Sequence, residues 1–139
     1  MTLYVFDTDH LSLASYGHAL ITARVLSHPR AVLATTVVSI EEQLTGWYSQ
    51  VRQSRDVDRQ ARAYSGLLSV INDAANMKVL PFTREALVRA AELRKSYPRL
   101  GRQDLAIAAI VLDHGAVLVT RNRQDFEQIE GLTIEDWSV

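Results

Sequence analysis

Apolar and polar residues fall along the chain in blocks whose lengths separate strands from helices. Leu3-Tyr4-Val5-Phe6 is an unbroken apolar run that stops at Asp7, the pattern of a strand covered on both faces in a parallel sheet. Thr8 or Asp9 is placed to cap a helix through about Ser15, and a second helix is expected from His18 to Ser27, where Pro29 stops it. Ala31 to Ala34 reads as the second strand. Beyond it, Thr35 or Thr36 caps a helix carrying Val37, Ile40, Leu44 and Trp47 at steps of three and four, with Glu41 and Glu42 in its first two turns. From about Arg55 to Ala75 the positions Val57, Ala61, Tyr64, Leu68, Ile71 and Ala75 give a long helix one apolar stripe.

The alternation continues in the second half. Met77 to Leu80 is a third strand closed by Pro81, and Thr83 caps a helix to about Ser96 built on Leu87, Ala90, Ala91 and Leu93. Pro98 and Gly101 mark a loop. From Gln103 to His114 the helix is apolar nearly all round, which predicts a central, enclosed position, and Gly115 ends it. Ala116 to Val119 is a fourth buried strand, and Leu132 to Ile134 a short edge strand. This β-α-β order predicts an α/β fold, one domain over 1–139, with a mostly parallel sheet of four or five strands and helices on both faces. Ligands of such sheets bind beyond the carboxyl ends of the strands.

Composition narrows the partners. With 139 residues, 47% apolar and 22% charged, the chain has the make-up of an ordinary globular domain. It has no Cys, which excludes a disulfide scaffold, a thiolate zinc site and a cysteine nucleophile, and is compatible with a reducing cytoplasm, the expected location. No apolar run is long enough for a membrane span or a secretory signal, so neither insertion nor export is expected. A net charge of -1 argues against non-specific coating of nucleic acid, so any such contact is local.

The acids then stand out by position. Asp7 ends the first strand, Glu42 lies near the start of the helix after the second, Asn122 follows the fourth, and strand ends share one edge. Asp104 opens the enclosed helix, where a charge partner for the helix start is an equal explanation. Carboxylates crowded on one edge repel unless a cation compensates. Oxygen ligands without Cys or a His pair select Mg²⁺ or Mn²⁺ over zinc. Such an ion suits hydrolysis of a phosphodiester.

Four stretches carry a resemblance: Val5-Phe6-Asp7-Thr8-Asp9, Val38 to Gly46, Gln103 to Ala109, and Leu118 to Phe126. In order and spacing the chain resembles the PIN-domain family, in particular the VapC-type toxins of bacterial toxin–antitoxin pairs. The resemblance implies a Mg²⁺-dependent endoribonuclease, with Mn²⁺ able to substitute, neutralised by a cognate antitoxin. It places the catalytic acids at Asp7, Glu42, Asp104 and Asp125. Glu42 is preferred to Glu41 by its spacing from Gly46. Many relatives have Asp where this chain has Asn122, so the fourth metal ligand stays open between Asn122 and Asp125. Asp9 is either a supporting acid or a helix cap, and Thr120 a strand-end residue able to position the acids.

Around these acids, Arg102, Arg121 and Arg123 are candidate contacts to the RNA backbone, against the plainer reading of a solvated charged face. The four His are dispersed and read as structural. Trp47, Tyr48, Tyr64 and Leu68 lie on helices the family uses for self-association and antitoxin docking, although each taken singly reads as core; a homodimer is the expected assembly. Two alternatives remain. Asp7-Thr8-Asp9 also resembles the nucleophile segment of haloacid-dehalogenase-like phosphatases, whose lysine would have to be Lys78 or Lys95, and Asn122 allows a catalytically impaired binding module.

Overall fold

The computed structural model describes residues 1–139. The apolar runs become five short strands: β1 (Tyr4–Phe6), β2 (Leu33–Thr36), β3 (Lys78–Leu80), β4 (Val117–Val119) and β5 (Thr133–Glu135). They form one sheet in the order β3-β2-β1-β4-β5, and every adjacent pair is parallel. The helices are α1 (Thr8–Ser15), α2 (Ala19–Leu26), α3 (Val37–Gln53), α4 (Val57–Ala75), α5 (Arg84–Ser96), α6 (Arg102–Asp113) and the short α7 (Arg123–Phe126).

Alternation along the strands divides the core in two. Val5 and Leu118 face the layer of α5 and α6, with Ala86, Leu105 and Ile107. Phe6 and Val119 face the opposite layer, with Leu11 of α1, Ile21 of α2, Val70 of α4 and the C-terminal Trp137. Helix α3 serves both layers, giving Val38 to one and Ile40 to the other. Helix α6 is enclosed as its composition requires: Leu105 through Val111 are all buried. It stops at Gly115, whose φ of 56° is in the left-handed region that glycine enters without a Cβ clash.

Three local expectations are corrected. Asp7 itself, rather than Thr8 or Asp9, caps α1, because its carboxylate already stands at the end of β1 where the free N–H groups of the first turn point. Arg30–Val32 forms a 3₁₀ turn, so β2 begins two residues later than expected, at Leu33. Thr35 and Thr36 belong to that strand: both are buried, the Thr35 hydroxyl donates to the Phe6 carbonyl, and Thr36 caps α3. β-branched side chains with partnered hydroxyls fit an interior strand, and their polarity disguises it in the sequence.

The third correction concerns α4. Its apolar stripe faces outward, with Val57 77%, Tyr64 59%, Leu68 58% and Ile71 54% exposed, and Tyr48 of α3 is also exposed. The buried face consists of the small residues Ala63 and Gly66 together with Val70. Gly66 lies against the ring of Trp47: a Cβ there would come within 2.3 Å of the indole. Close approach of α3 and α4 requires small side chains, so the larger apolar ones are left on the outside. No helix is long and apolar enough to cross a membrane.

Candidate active site

Strand order fixes where a site can form. After β1 the chain moves outward to β2 and β3, then returns to the other side of β1 as β4, so the connections diverge between the carboxyl ends of β1 and β4. A crevice opens at such a point. Asp7 follows β1 and Thr120 follows β4. Helix α6 leads into the amino end of β4, which puts its own start, and Asp104, at the carboxyl edge. Glu42 arrives there in the second turn of α3, directly after β2.

Asp7 is held from both sides. One carboxylate oxygen accepts the backbone N–H of His10 at 2.8 Å, and the other accepts the Thr120 hydroxyl at 2.6 Å. Thr120 in turn accepts the backbone N–H of Asn122 at 3.0 Å. Burial pushes the Asp7 pKa up to about 6; the charges of Asp9 and Asp104 add to the rise, while the bonds from Thr120 and His10 oppose it. The fixed geometry therefore holds a carboxylate whose charge is poorly solvated.

The other acids are less restrained. Glu42 is half-buried and accepts the Thr8 hydroxyl at 2.7 Å, whereas Glu41 is exposed. Asp104 is half-buried; burial raises its pKa first, followed by the charges of Glu42 and Asp125. Asp125, in α7, accepts the side-chain N–H of Asn122 at 3.1 Å. The two candidates for the fourth position are thus bonded to one another, with Asn122 also tied to Thr120 through its backbone.

No basic side chain balances this charge. Glu42, Asp104 and Asp125 enter no ion pair, and the one basic group near Asp7 is His10, whose pKa burial lowers. No three acidic or imidazole groups stand close enough to enclose an ion unaided. An open, all-oxygen set of mutually repelling carboxylates fits a hard divalent cation that keeps part of its own water shell, as Mg²⁺ does. It fits zinc poorly.

The surrounding residues divide. Asp9 is exposed and pairs with Arg121 at 2.5 Å, so it is neither the cap nor a buried partner of Asp7. Arg123 pairs with Glu127 at 3.3 Å one turn along α7. Both arginines are about half exposed and within surface pairs that constrain them little. Arg102 opens α6 without an ion partner. His10, read as merely structural in the sequence, is wholly buried with its Nδ1 3.8 Å from Asp7. Its i+3 spacing from Asp7 is the available signal, obscured by the absence of a second histidine.

Five parallel strands with acids gathered at the carboxyl edge, between β1 and β4, define a class of α/β domain. The sequence profile of the PIN domain matches residues 5–132, and the chain belongs to that family. Among curated proteins it is similar to the tRNA(fMet)-specific endonuclease VapC of Salmonella typhimurium, 33% identical over 67 residues, covering 45% of this chain and 51% of that protein. It is also similar to the protein of the same name from Shigella flexneri, 30% identical over 90 residues, covering 62% and 64% respectively. The chain therefore spans about half to two thirds of these relatives. In fold it resembles the DNA-bound VapBC of Salmonella typhimurium, with a TM-score of 0.80, 23% identity and 99% of both chains covered.

Proposed function

We propose that this chain is a VapC-type toxin, an endoribonuclease that hydrolyses RNA with a divalent metal ion and is inhibited by a cognate antitoxin. The observation that carries the reading is the set Asp7, Glu42, Asp104 and Asp125 on one edge of the sheet, electrostatically coupled and without a cation. Asp7, Glu42 and Asp104 would hold Mg²⁺, or Mn²⁺ in its place, together with water from the ion's own shell, and Asn122 and Asp125 would form the fourth corner. When bound, such an ion lowers the pKa of a coordinated water and stabilises charge on the phosphoryl oxygens.

The chain's own residues do the rest. Thr120 and the His10 N–H orient the Asp7 carboxylate, and Thr8 orients Glu42. Asp125, bonded to Asn122, adds negative charge beside Asp104. Arg102, which pairs with no carboxylate, and Arg121 and Arg123, which would exchange theirs, are the candidates to contact RNA phosphate. The outward stripe of Val57, Tyr64, Leu68 and Ile71 gives the homodimer or the antitoxin an apolar surface. The cytoplasm is the compartment where such a substrate and partner meet. Both curated relatives are named for initiator tRNA, which makes it the first substrate to test.

The phosphatase alternative lacks its lysine: Lys78 is on the edge strand β3, Lys95 is in the last turn of α5, and neither pairs with Asp7. The test is incubation of purified chain with initiator tRNA and with unstructured RNA, with Mg²⁺, with Mn²⁺ and with EDTA. Cleavage in either metal that EDTA and Asp7→Asn both abolish is the expected result. Cleavage that persists in EDTA would refute the metal assignment, and none in any condition would refute the nuclease.

A further inference from the structure

His10 is a buried polar side chain that the proposed chemistry leaves unused. It sits in the first turn of α1, wholly buried, its ring stacked against Phe6 at an interplanar angle of 12°. On one side Nε2 accepts the backbone N–H of Trp137 at 3.2 Å, which requires that nitrogen to be bare. Asp136, 3.6 Å from Nε2, is already occupied, since its Oδ1 accepts both the backbone N–H and the hydroxyl of Ser138. The ring proton is therefore on Nδ1. That atom is buried without a hydrogen-bond partner, and the nearest carboxylate oxygen is Asp7 Oδ1 at 3.8 Å.

We propose that His10 is a positioning residue for the site acid, its Nδ1–H aimed at Asp7 Oδ1 and its tautomer set by the C-terminal segment through the Trp137 N–H. A buried donor without a partner is unfavourable by about 1–3 kcal/mol, so a small shift of the ring toward the carboxylate, which Thr120 and the His10 N–H already hold, is downhill. Asp7 Oδ1 then takes two donors from the same residue, the backbone and the ring N–H of His10. This arrests rotation of the carboxyl group about its Cβ–Cγ bond. The role mirrors that of the hydrogen-bonded groups that orient metal ligands elsewhere. It also links the segment after β5 to the acids, because Trp137 is buried between Phe6 and Tyr4 and its backbone decides which ring nitrogen faces Asp7.

The inference rests on Asp7 being the site acid, and its first test does not depend on cleavage. In protein labelled with ¹⁵N-histidine, the His10 resonances near neutral pH should report a protonated Nδ1 and a bare Nε2. Asp7→Asn should move the Nδ1 resonance and leave Nε2 in place. A protonated Nε2, or an Nδ1 indifferent to Asp7→Asn, overturns the proposal. The kinetic arm uses His10→Gln, whose amide reaches the Nε2 position and keeps an acceptor for the Trp137 N–H, with only methylene carbon where Nδ1 stood. Its melting temperature should stay near wild type while kcat falls about 10- to 100-fold at little-changed KM. His10→Asn, with a donor at the Nδ1 position, should recover kcat relative to His10→Gln despite lower stability. Wild-type kcat in His10→Gln overturns the proposal, whereas an inactive wild-type chain refutes the nuclease and leaves the ring measurements to decide.

Discussion

The two halves of the acidic edge are built differently. Asp7 and Thr120 are buried, joined to each other and to backbone N–H groups, and their geometry is settled before anything binds. Glu42, Asp104 and Asp125 are half-buried, hang from helices, and are restrained by one side-chain bond each or by none in the case of Asp104. A carboxylate desolvated and fixed in advance carries an electrostatic penalty in the folded chain. A half-exposed one carries little until a cation draws it in. The fixed half sets direction and the open half supplies adaptable charge. Each substitution below weakens one half and leaves the other in place.

On the proposed function, the largest effect is expected from the acid that would face the ion and that no side-chain hydrogen bond restrains. Asp104→Asn keeps the shape of α6 and removes charge from the centre of the set, where Glu42 and Asp125 both bear on it. Loss of a ligand removes several kcal/mol of charge stabilisation, on the order of a thousandfold in rate. Gel-based cleavage of initiator tRNA measures it, and less than about tenfold loss would place Asp104 outside the ion's ligands. Thr120→Val comes next. It removes the hydroxyl donor from Asp7 and the acceptor for Asn122 N–H, joining the two losses at one point. About 10- to 100-fold lower cleavage is expected. The pH at which activity appears should also rise, because that bond lowers the Asp7 pKa.

Much of this is legible in the sequence, for reasons that differ element by element. Helix α6 declares itself because a helix apolar on every side has only one place to go, and Leu105 to Val111 are enclosed. That Asp7 and Asp104 lie at the carboxyl edge follows from strand and helix order, whereas their roles rest on the family resemblance. The stripe of α4 is legible as a stripe but not as an outside: periodicity gives a face without saying what that face meets, and Gly66 against Trp47 is a contact between helices that no spacing reveals. The extent of β2 is hidden because Thr35 and Thr36 look polar until their hydroxyls find the Phe6 carbonyl and the start of α3. His10 is hidden for a related reason, its partner Trp137 being 127 residues away.

The fixed half makes a prediction about stability with a definite sign. Asp7 has its pKa raised from 3.8 to about 6 by folding, so the folded chain holds its proton more tightly than the unfolded one. Stability from this group is full below the unfolded pKa and falls as pH rises through the folded value. Asp7→Asn removes the charge and with it that loss. The variant should be more stable than wild type at pH 7 by about 1–3 kcal/mol, with the gap closing as the pH approaches 4. Urea titrations at both pH values measure it. Added Mg²⁺ should raise the melting temperature of the wild type and not of Asp7→Asn. A variant less stable than wild type at pH 7 would show that the Asp7 charge is net favourable at the start of α1 rather than penalised by burial, since Asn retains the capping acceptor.

The smallest effects are expected at the fourth corner, where the open half meets the fixed one. Asn122 donates to Asp125 with its side chain and to Thr120 with its backbone, so the side chain restrains one acid while the backbone bond survives substitution. Asp125→Asn removes the charge that acts on Asp104 and should reduce cleavage by about tenfold, the loss typical of a group that tunes a ligand. Asn122→Ala leaves that charge and releases only its tether, worth about 0.5–1.5 kcal/mol and therefore a few-fold in rate. The double variant should cost no more than Asp125→Asn alone, because the tether has nothing left to hold. If Asn122→Ala proved the more damaging of the two, the amide would be acting on the ion or the substrate directly, and Asp125 would be its support.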